Sequence, residues 1–88
     1  MVPAGQKILV VEDEPDIRKL VHYHLAQERY KVVEAEDGEQ ALKLIQREQP
    51  NLIVLDLMLP GLSGQEICKI LKSKPDTASL PILMRTAK

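Results

Sequence analysis

Short apolar runs alternate with segments of helical periodicity along the 88-residue chain. Continuous apolar runs at 8–11 and 52–55 are typical of strands that are covered on both faces of a sheet. Further strands are predicted at 31–35 and 81–84. Apolar residues at helical spacing predict a helix in each of the three intervals between these strands. The order β-α-β-α-β-α-β indicates an α/β fold with a parallel sheet and right-handed crossovers.

Each predicted helix has a recognisable start. Pro15 suits the first turn of the first helix, and Asp37 and Ser63 are good N-caps for the second and third. Pro60 and Gly61 are interpreted as turn formers. Each helix is expected to bury one apolar face. In the first helix that stripe consists of Ile17, Leu20, Val21, His24 and Leu25; in the second it consists of Gly38, Ala41, Leu42 and Ile45.

Composition excludes several classes of function. The 12 Lys+Arg and 13 Asp+Glu give a formal net charge of -1, so the chain has no basic excess with which to bind nucleic acid directly. No apolar run approaches the roughly 20 residues of a membrane span. The single cysteine, Cys68, and the lack of a signal-peptide pattern fit a cytoplasmic protein. Packing is the default role for Cys68, and an ordinary surface or core position is the default for His22 and His24.

Three carboxylates are predicted to converge at one edge of the sheet. Glu12 and Asp13 follow the first strand, and Asp56 ends the third. Ligand sites of open parallel sheets lie beyond the carboxyl ends of the strands. Clustered acids repel one another unless a cation neutralises them, and carboxylate oxygens suit Mg²⁺. Each acid taken alone is explained by helix capping or solvation, but the three together favour a cation site.

Three motifs resemble the receiver domain of bacterial two-component response regulators, the CheY-like family. They read V-V-E-D-E-P at 10–15, L-D-L-M-L-P-G-L-S-G at 55–64 and M-x-T-A-K at 84–88. The resemblance covers residues 7–88. It is strongest with receivers that stand at the N-terminus of winged-helix transcription factors. It implies a flavodoxin-like sheet and a phosphoacceptor signalling module, not an enzyme. The implied phosphodonor is a sensor histidine kinase.

The resemblance also implies roles for individual residues. Asp56 matches the phosphoryl acceptor. Asp13 and Asp56 match direct Mg²⁺ ligands, the backbone carbonyl of Met58 matches a third, and Glu12 acts through metal-bound water. The last motif supplies the switch hydroxyl, Thr86, and a backbone N–H donor to a phosphoryl oxygen, Ala87.

Two other classes of function fit the residues less well. Phosphatases that form an aspartyl phosphate need a second acid two residues after the nucleophile, where this chain has Met58. Nucleotide-binding glycine motifs do not follow any predicted strand. A third interpretation, a receiver fragment that assembles and whose phosphorylation site is vestigial, stays open.

The sequence departs from the family in its number of elements. Complete receivers have five strands and five helices, whereas residues 1–88 supply four strands and three helices, interpreted here as a single truncated receiver domain with strand order 2-1-3-4. Lys88 directly follows the fourth-strand motif and is therefore not the family's active-site lysine. The fourth strand becomes a bare edge, and apolar surface is exposed beside the first helix. We therefore expect self-association, as a homodimer through the fourth strand.

Arg85 is an anomaly in the fourth strand, where a buried parallel strand should carry an apolar side chain. Burying a guanidinium without an acid costs roughly several kcal/mol. Arg85 therefore reaches solvent, pairs with an acid, or marks an engineered or rearranged chain. Solvent or a partner interface is the favoured interpretation.

Overall fold

The computed structural model describes residues 3–56, 59 and 61–85, and the strands in these ranges form one parallel sheet. Strands and helices alternate as β1 (Lys7–Val11), α1 (Pro15–Gln27), β2 (Lys31–Ala35), α2 (Gly38–Glu48), β3 (Leu52–Asp56), α3 (Gly64–Lys72) and β4 (Ile82–Arg85). The strand order is β2-β1-β3-β4. The predicted element order and the predicted strand order are both confirmed.

The two faces of the sheet are covered by different helices, because successive strand residues point to opposite sides. The larger core lies between the sheet and helices α2 and α3. It contains Leu9, Val11, Ala35, Ala41, Leu44, Ile45, Ile53, Leu55, Leu59, Ile67 and Leu71. The smaller core faces α1, whose Val21 and Leu25 pack against Ile8, Val10, Leu52 and Val54. Both strands in the middle of the sheet are therefore buried on both faces, as predicted.

The prediction that α1 buries its whole apolar stripe is wrong for some of the stripe's residues. No residue of α1 is buried, and Leu20 is 57% exposed. His24 is also exposed, and its ring lies edge-on to that of Tyr23 with the centroids 5.7 Å apart. Within the described ranges α1 is the only helix on its face of the sheet, so just the Val21 and Leu25 side of the stripe meets the sheet. The expectation of exposed apolar surface beside the first helix is confirmed.

The predicted N-caps of α2 and α3 are confirmed. Asp37 Oδ1 accepts a hydrogen bond from the backbone N–H of Gln40 at 2.8 Å. Ser63 Oγ accepts from the N–H of Glu66, and Glu66 Oε1 accepts from the N–H of Ser63, each at 3.1 Å. This reciprocal capping box fixes the start of α3. Just before it, Gly61 has a φ of 69°, as a turn-forming glycine permits.

Gly38 allows α2 to approach the start of α3 closely. A Cβ at this position would lie 2.9 Å from Ile67 Cδ1 and 3.0 Å from both the Cβ and the backbone oxygen of Leu62. The end of the isoleucine side chain can rotate away, but the backbone of Leu62 cannot move without shifting the turn. The missing side chain at Gly38 is thus a packing requirement.

We expect Gly38→Ala to lower the free energy of unfolding by about 1–3 kcal/mol, because the added methyl group overpacks this contact. Urea unfolding followed by circular dichroism measures the change. Lys43→Ala, at an exposed position of the same helix, is the matched control and should change stability little. Equal stability of Gly38→Ala and the parent chain would contradict the close packing at this site.

Candidate acidic site

Glu12, Asp13 and Asp56 meet at the carboxyl edge of the sheet, as predicted. Each offers an oxygen within 4.8 Å of the others. Glu12 and Asp56 are fully buried, and Asp13 is half-buried. The register explains this convergence, because Val11 of β1 pairs with Leu55 of β3 and the acids follow directly. These three residues are called the acidic cluster below.

Glu12 is held from several directions. Its Oε2 accepts a hydrogen bond from the backbone N–H of Glu14 at 3.0 Å, and its Oε1 accepts from Arg85 Nη1 at 2.7 Å. Its backbone carbonyl accepts from Arg18 Nη1 at 2.9 Å. Its own N–H donates to the carbonyl of Ala35 at 3.0 Å, which ties the end of β1 to β2. The carboxylate therefore has a fixed orientation within the acidic cluster.

The favoured interpretation of Arg85, solvent or a partner interface, is wrong. Arg85 forms an ion pair with Glu12, and its side chain is 24% exposed while that of Glu12 is 0% exposed. The pairing follows from the fold, because Arg85 is the register partner of Asp56 and its side chain lies on the same face of the sheet as that of Asp56. Acid pairing was one of the open alternatives. The sequence alone did not identify the acid, because Glu12 is 73 residues away in the chain.

A second charged network, between α1 and β2, was missed from the sequence. Arg18 Nε donates to Glu34 Oε1 at 3.2 Å, and His22 Nδ1 lies 2.5 Å from Glu34 Oε2. Burial raises the pKa of Glu34, but hydrogen bonds from His22 and Arg18 and their positive charge outweigh this effect and hold the pKa below its ordinary value of 4.5. Arg18 joins this network to the backbone of Glu12. The available signal was the spacing of Arg18 and His22, which places both on one face of α1.

The donor set of the acidic cluster fits a hard divalent cation. All its side-chain donors are carboxylate oxygens, and burial of Glu12 and Asp56 makes their mutual repulsion costly without positive charge. Cys68 does not join the cluster and instead contacts the sulfur of Met84 at 3.8 Å, which fits its predicted packing role. Three predicted site residues, Met58, Thr86 and Ala87, lie outside the described residues, as do Pro60 and Lys88.

Comparison with known proteins places this geometry in a family. The family model for the response regulator receiver domain matches residues 8–88. The chain belongs to this family. It is therefore a phosphoacceptor signalling module, and the resemblance inferred from the three motifs is confirmed.

A curated relative and two solved structures show the extent of the similarity. The alkaline phosphatase synthesis transcriptional regulatory protein PhoP of Bacillus subtilis is 52% identical over 84 residues, which cover 96% of this chain and 34% of PhoP. The N-terminal domain of a response regulator receiver protein from Methanoculleus marisnigri JR1 superposes with a TM-score of 0.90 at 35% identity, covering 94% of this chain and 68% of that one.

The second structure is the receiver domain of the sensor histidine kinase PA1611 from Pseudomonas aeruginosa PAO1, which has a magnesium ion coordinated in its active site cleft. Its TM-score is 0.89 at 32% identity, with 97% of this chain and 70% of that chain covered. The chain spans about a third of the length of the curated relatives that it matches. Helices in the described part of the chain all lack the length and apolarity needed to cross a membrane.

The network of Glu34 predicts a specific pH dependence of stability. A depressed pKa means that Glu34 stabilises the fold above its unfolded-state pKa and that this contribution is lost as the pH falls through the folded-state pKa. We expect Glu34→Gln to be less stable than the parent chain by about 1 kcal/mol at pH 7. The difference should shrink below pH 4.5 and disappear at lower pH. Urea unfolding between pH 7 and pH 3 measures it.

Glu36→Gln is the matched control, because Glu36 is exposed just beyond the end of β2. It should leave stability almost unchanged at every pH. A stability difference for Glu34→Gln that persists undiminished at the acid end of the range would contradict the proposed network.

Proposed function

We propose that Asp56 accepts a phosphoryl group from a phosphohistidine of a sensor histidine kinase. A carboxylate oxygen of Asp56 attacks phosphorus, the P–N bond to the imidazole breaks with its electron pair leaving on nitrogen, and an acyl phosphate forms. The observation that carries the proposal is the burial of Asp56 within the acidic cluster at the carboxyl edge of the sheet.

Mg²⁺ is the proposed cofactor of this transfer, and it would supply positive charge for the phosphoryl oxygens. Asp13 and Asp56 would hold it directly, together with the backbone carbonyl of Met58. Glu12 would act through metal-bound water, since both of its carboxylate oxygens already accept hydrogen bonds, from Arg85 and from the N–H of Glu14. The magnesium ion in the related receiver of PA1611 supports this assignment.

Residues beyond the acidic cluster complete the proposed mechanism. The hydroxyl of Thr86 would turn towards the new phosphoryl group, and the backbone N–H of Ala87 would donate to one of its oxygens. Arg18 would keep Glu12 in place by donating a hydrogen bond to the backbone carbonyl of Glu12. We further propose that residues 1–88 form one receiver unit, that it works in the cytoplasm, and that it does not contact nucleic acid directly, given its formal net charge of -1.

Intact mass after incubation with acetyl phosphate and Mg²⁺ tests the phosphoryl transfer. We expect one phosphoryl adduct that depends on Mg²⁺ and is absent from Asp56→Asn. Asp13→Asn should reduce the extent of modification at least tenfold at limiting Mg²⁺, because it removes a proposed direct metal ligand.

Glu39→Gln, at an exposed position of α2, is the control for loss of a carboxylate and should be modified like the parent chain. Lack of any adduct in a sample that circular dichroism shows to be folded would overturn the proposal. An adduct that persists in Asp56→Asn would assign the modification to another residue.

A second proposal concerns assembly, and a specific observation favours it. β4 forms one edge of the sheet, and its Leu83 and Met84 are 50% and 36% exposed. Within the described residues β4 has no strand on its outer side, and an edge strand with apolar side chains favours pairing with another strand. We therefore propose that the chain forms a homodimer through β4, whether or not Asp56 is phosphorylated.

Sedimentation velocity over a range of concentrations tests this dimer. Leu83→Lys should shift the chain towards monomer by at least tenfold in Kd, because a charged side chain on the edge disfavours strand pairing. Gln46→Lys is the control for added charge, since Gln46 is exposed on α2 rather than on β4 or the apolar surface of α1, and it should leave the dimer intact. A parent chain that is monomeric at all concentrations would contradict the dimer.

A further inference from the structure

Arg85 reaches the acidic cluster from the edge of the sheet. It is the last residue of β4, and Glu12 follows β1, with β3 between them. Neighbouring strands lie about 4.8 Å apart, so the side chains of Arg85 and Glu12 together bridge roughly 10 Å past the end of β3. The last residue of β3 is Asp56, the register partner of Arg85. The guanidinium therefore ends at Glu12 with the proposed phosphoryl acceptor beside its path.

Arg85 and Glu12 form an ion pair. Arg85 Nη1 donates to Glu12 Oε1 at 2.7 Å, and the carboxylate that accepts is fully buried. The charge of the guanidinium persists at every pH at which the protein is folded. The acidic cluster has three carboxylates, so one permanent positive charge offsets part of their mutual repulsion.

A divalent cation bound to the acidic cluster would lie close to this guanidinium. The two positive charges repel each other, and the repulsion is stronger in a partly buried site than in water. Arg85 also engages one oxygen of Glu12, so part of the negative charge of the cluster is already balanced. Both effects act in the same direction and weaken the binding of Mg²⁺.

We infer that Arg85 is an internal counterion of the acidic cluster that lowers its affinity for Mg²⁺ while stabilising the cluster when Mg²⁺ is scarce. This inference rests on the proposed function, because it takes the acidic cluster as the Mg²⁺ site. Arg85 acts here through Glu12 and through charge, so it is a positioning and affinity-setting residue.

Isothermal titration of the 88-residue chain with MgCl₂, without a phosphodonor, tests the inference. Arg85→Gln removes the positive charge with a shorter polar side chain, and we expect its Kd for Mg²⁺ to be about tenfold lower than that of the parent chain. Arg85→Lys keeps the charge and should bind Mg²⁺ within about threefold of the parent. Thermal unfolding should show a larger Mg²⁺-induced rise in Tm for Arg85→Gln than for Arg85→Lys.

The outcomes separate this inference from the proposed function. If the parent chain binds Mg²⁺ and Asp13→Asn does not, but Arg85→Gln has the parent Kd, the counterion role is overturned and the metal site stands. If the folded parent chain binds no Mg²⁺, both are overturned.

A measurement on the parent chain covers the case in which Arg85→Gln does not fold. The ¹⁵N chemical shift of the Arg85 guanidinium should change on saturation with Mg²⁺. The ¹⁵N chemical shift of the exposed Arg47 guanidinium, which pairs with Glu48 on α2, should not change. An unchanged Arg85 signal at saturation would overturn the inference.

Discussion

The structure is organised around the repulsion between carboxylates buried at the carboxyl edge of the sheet. Glu12, just after β1, and Asp56, at the end of β3, are fully buried near each other, and Asp13 is close to both. Like charges at this distance in a water-poor site are unfavourable unless hydrogen bonds and positive charge offset them. The residues around the acidic cluster supply both: a backbone N–H from Glu14 and a guanidinium from Arg85.

The two middle strands can hold these acids because both of their faces are covered. Alternate residues of β1 and β3 pack against α1 on one side and against α2 and α3 on the other. Such strands have little freedom to slip, because a shift of one residue would exchange their two faces. The register that fixes Val11 opposite Leu55 therefore also fixes where the following acids meet.

Much of this arrangement was predictable from the sequence because it depends on local signals. The apolar runs defined the strands, and Asp37 and Ser63 defined helix starts through hydrogen bonds to residues three positions away. The acidic cluster was predictable because parallel strands end at the same edge. These inferences need only the order of elements and the general rules for sheets.

The parts that the sequence did not show depend on distant pairs. Helical periodicity marks Leu20 as a core position, but burial requires a surface on that side of α1, and the described residues provide none. The partner of Arg85 depends on which strand lies at the edge and which face the side chain takes. His22 likewise pairs with Glu34 only because α1 packs against β2.

The charge balance of the site thus depends on an edge strand. Among the described residues β4 is short and pairs with β3 alone, so its hydrogen bonds are more easily opened than those of the two central strands. Arg85 is its terminal residue, and opening of β4 would withdraw the guanidinium from Glu12. The acidic cluster would then gain negative charge, which favours a cation. If the acidic cluster binds Mg²⁺ as proposed, order at the edge of the sheet and cation binding at its carboxyl end are coupled through Arg85.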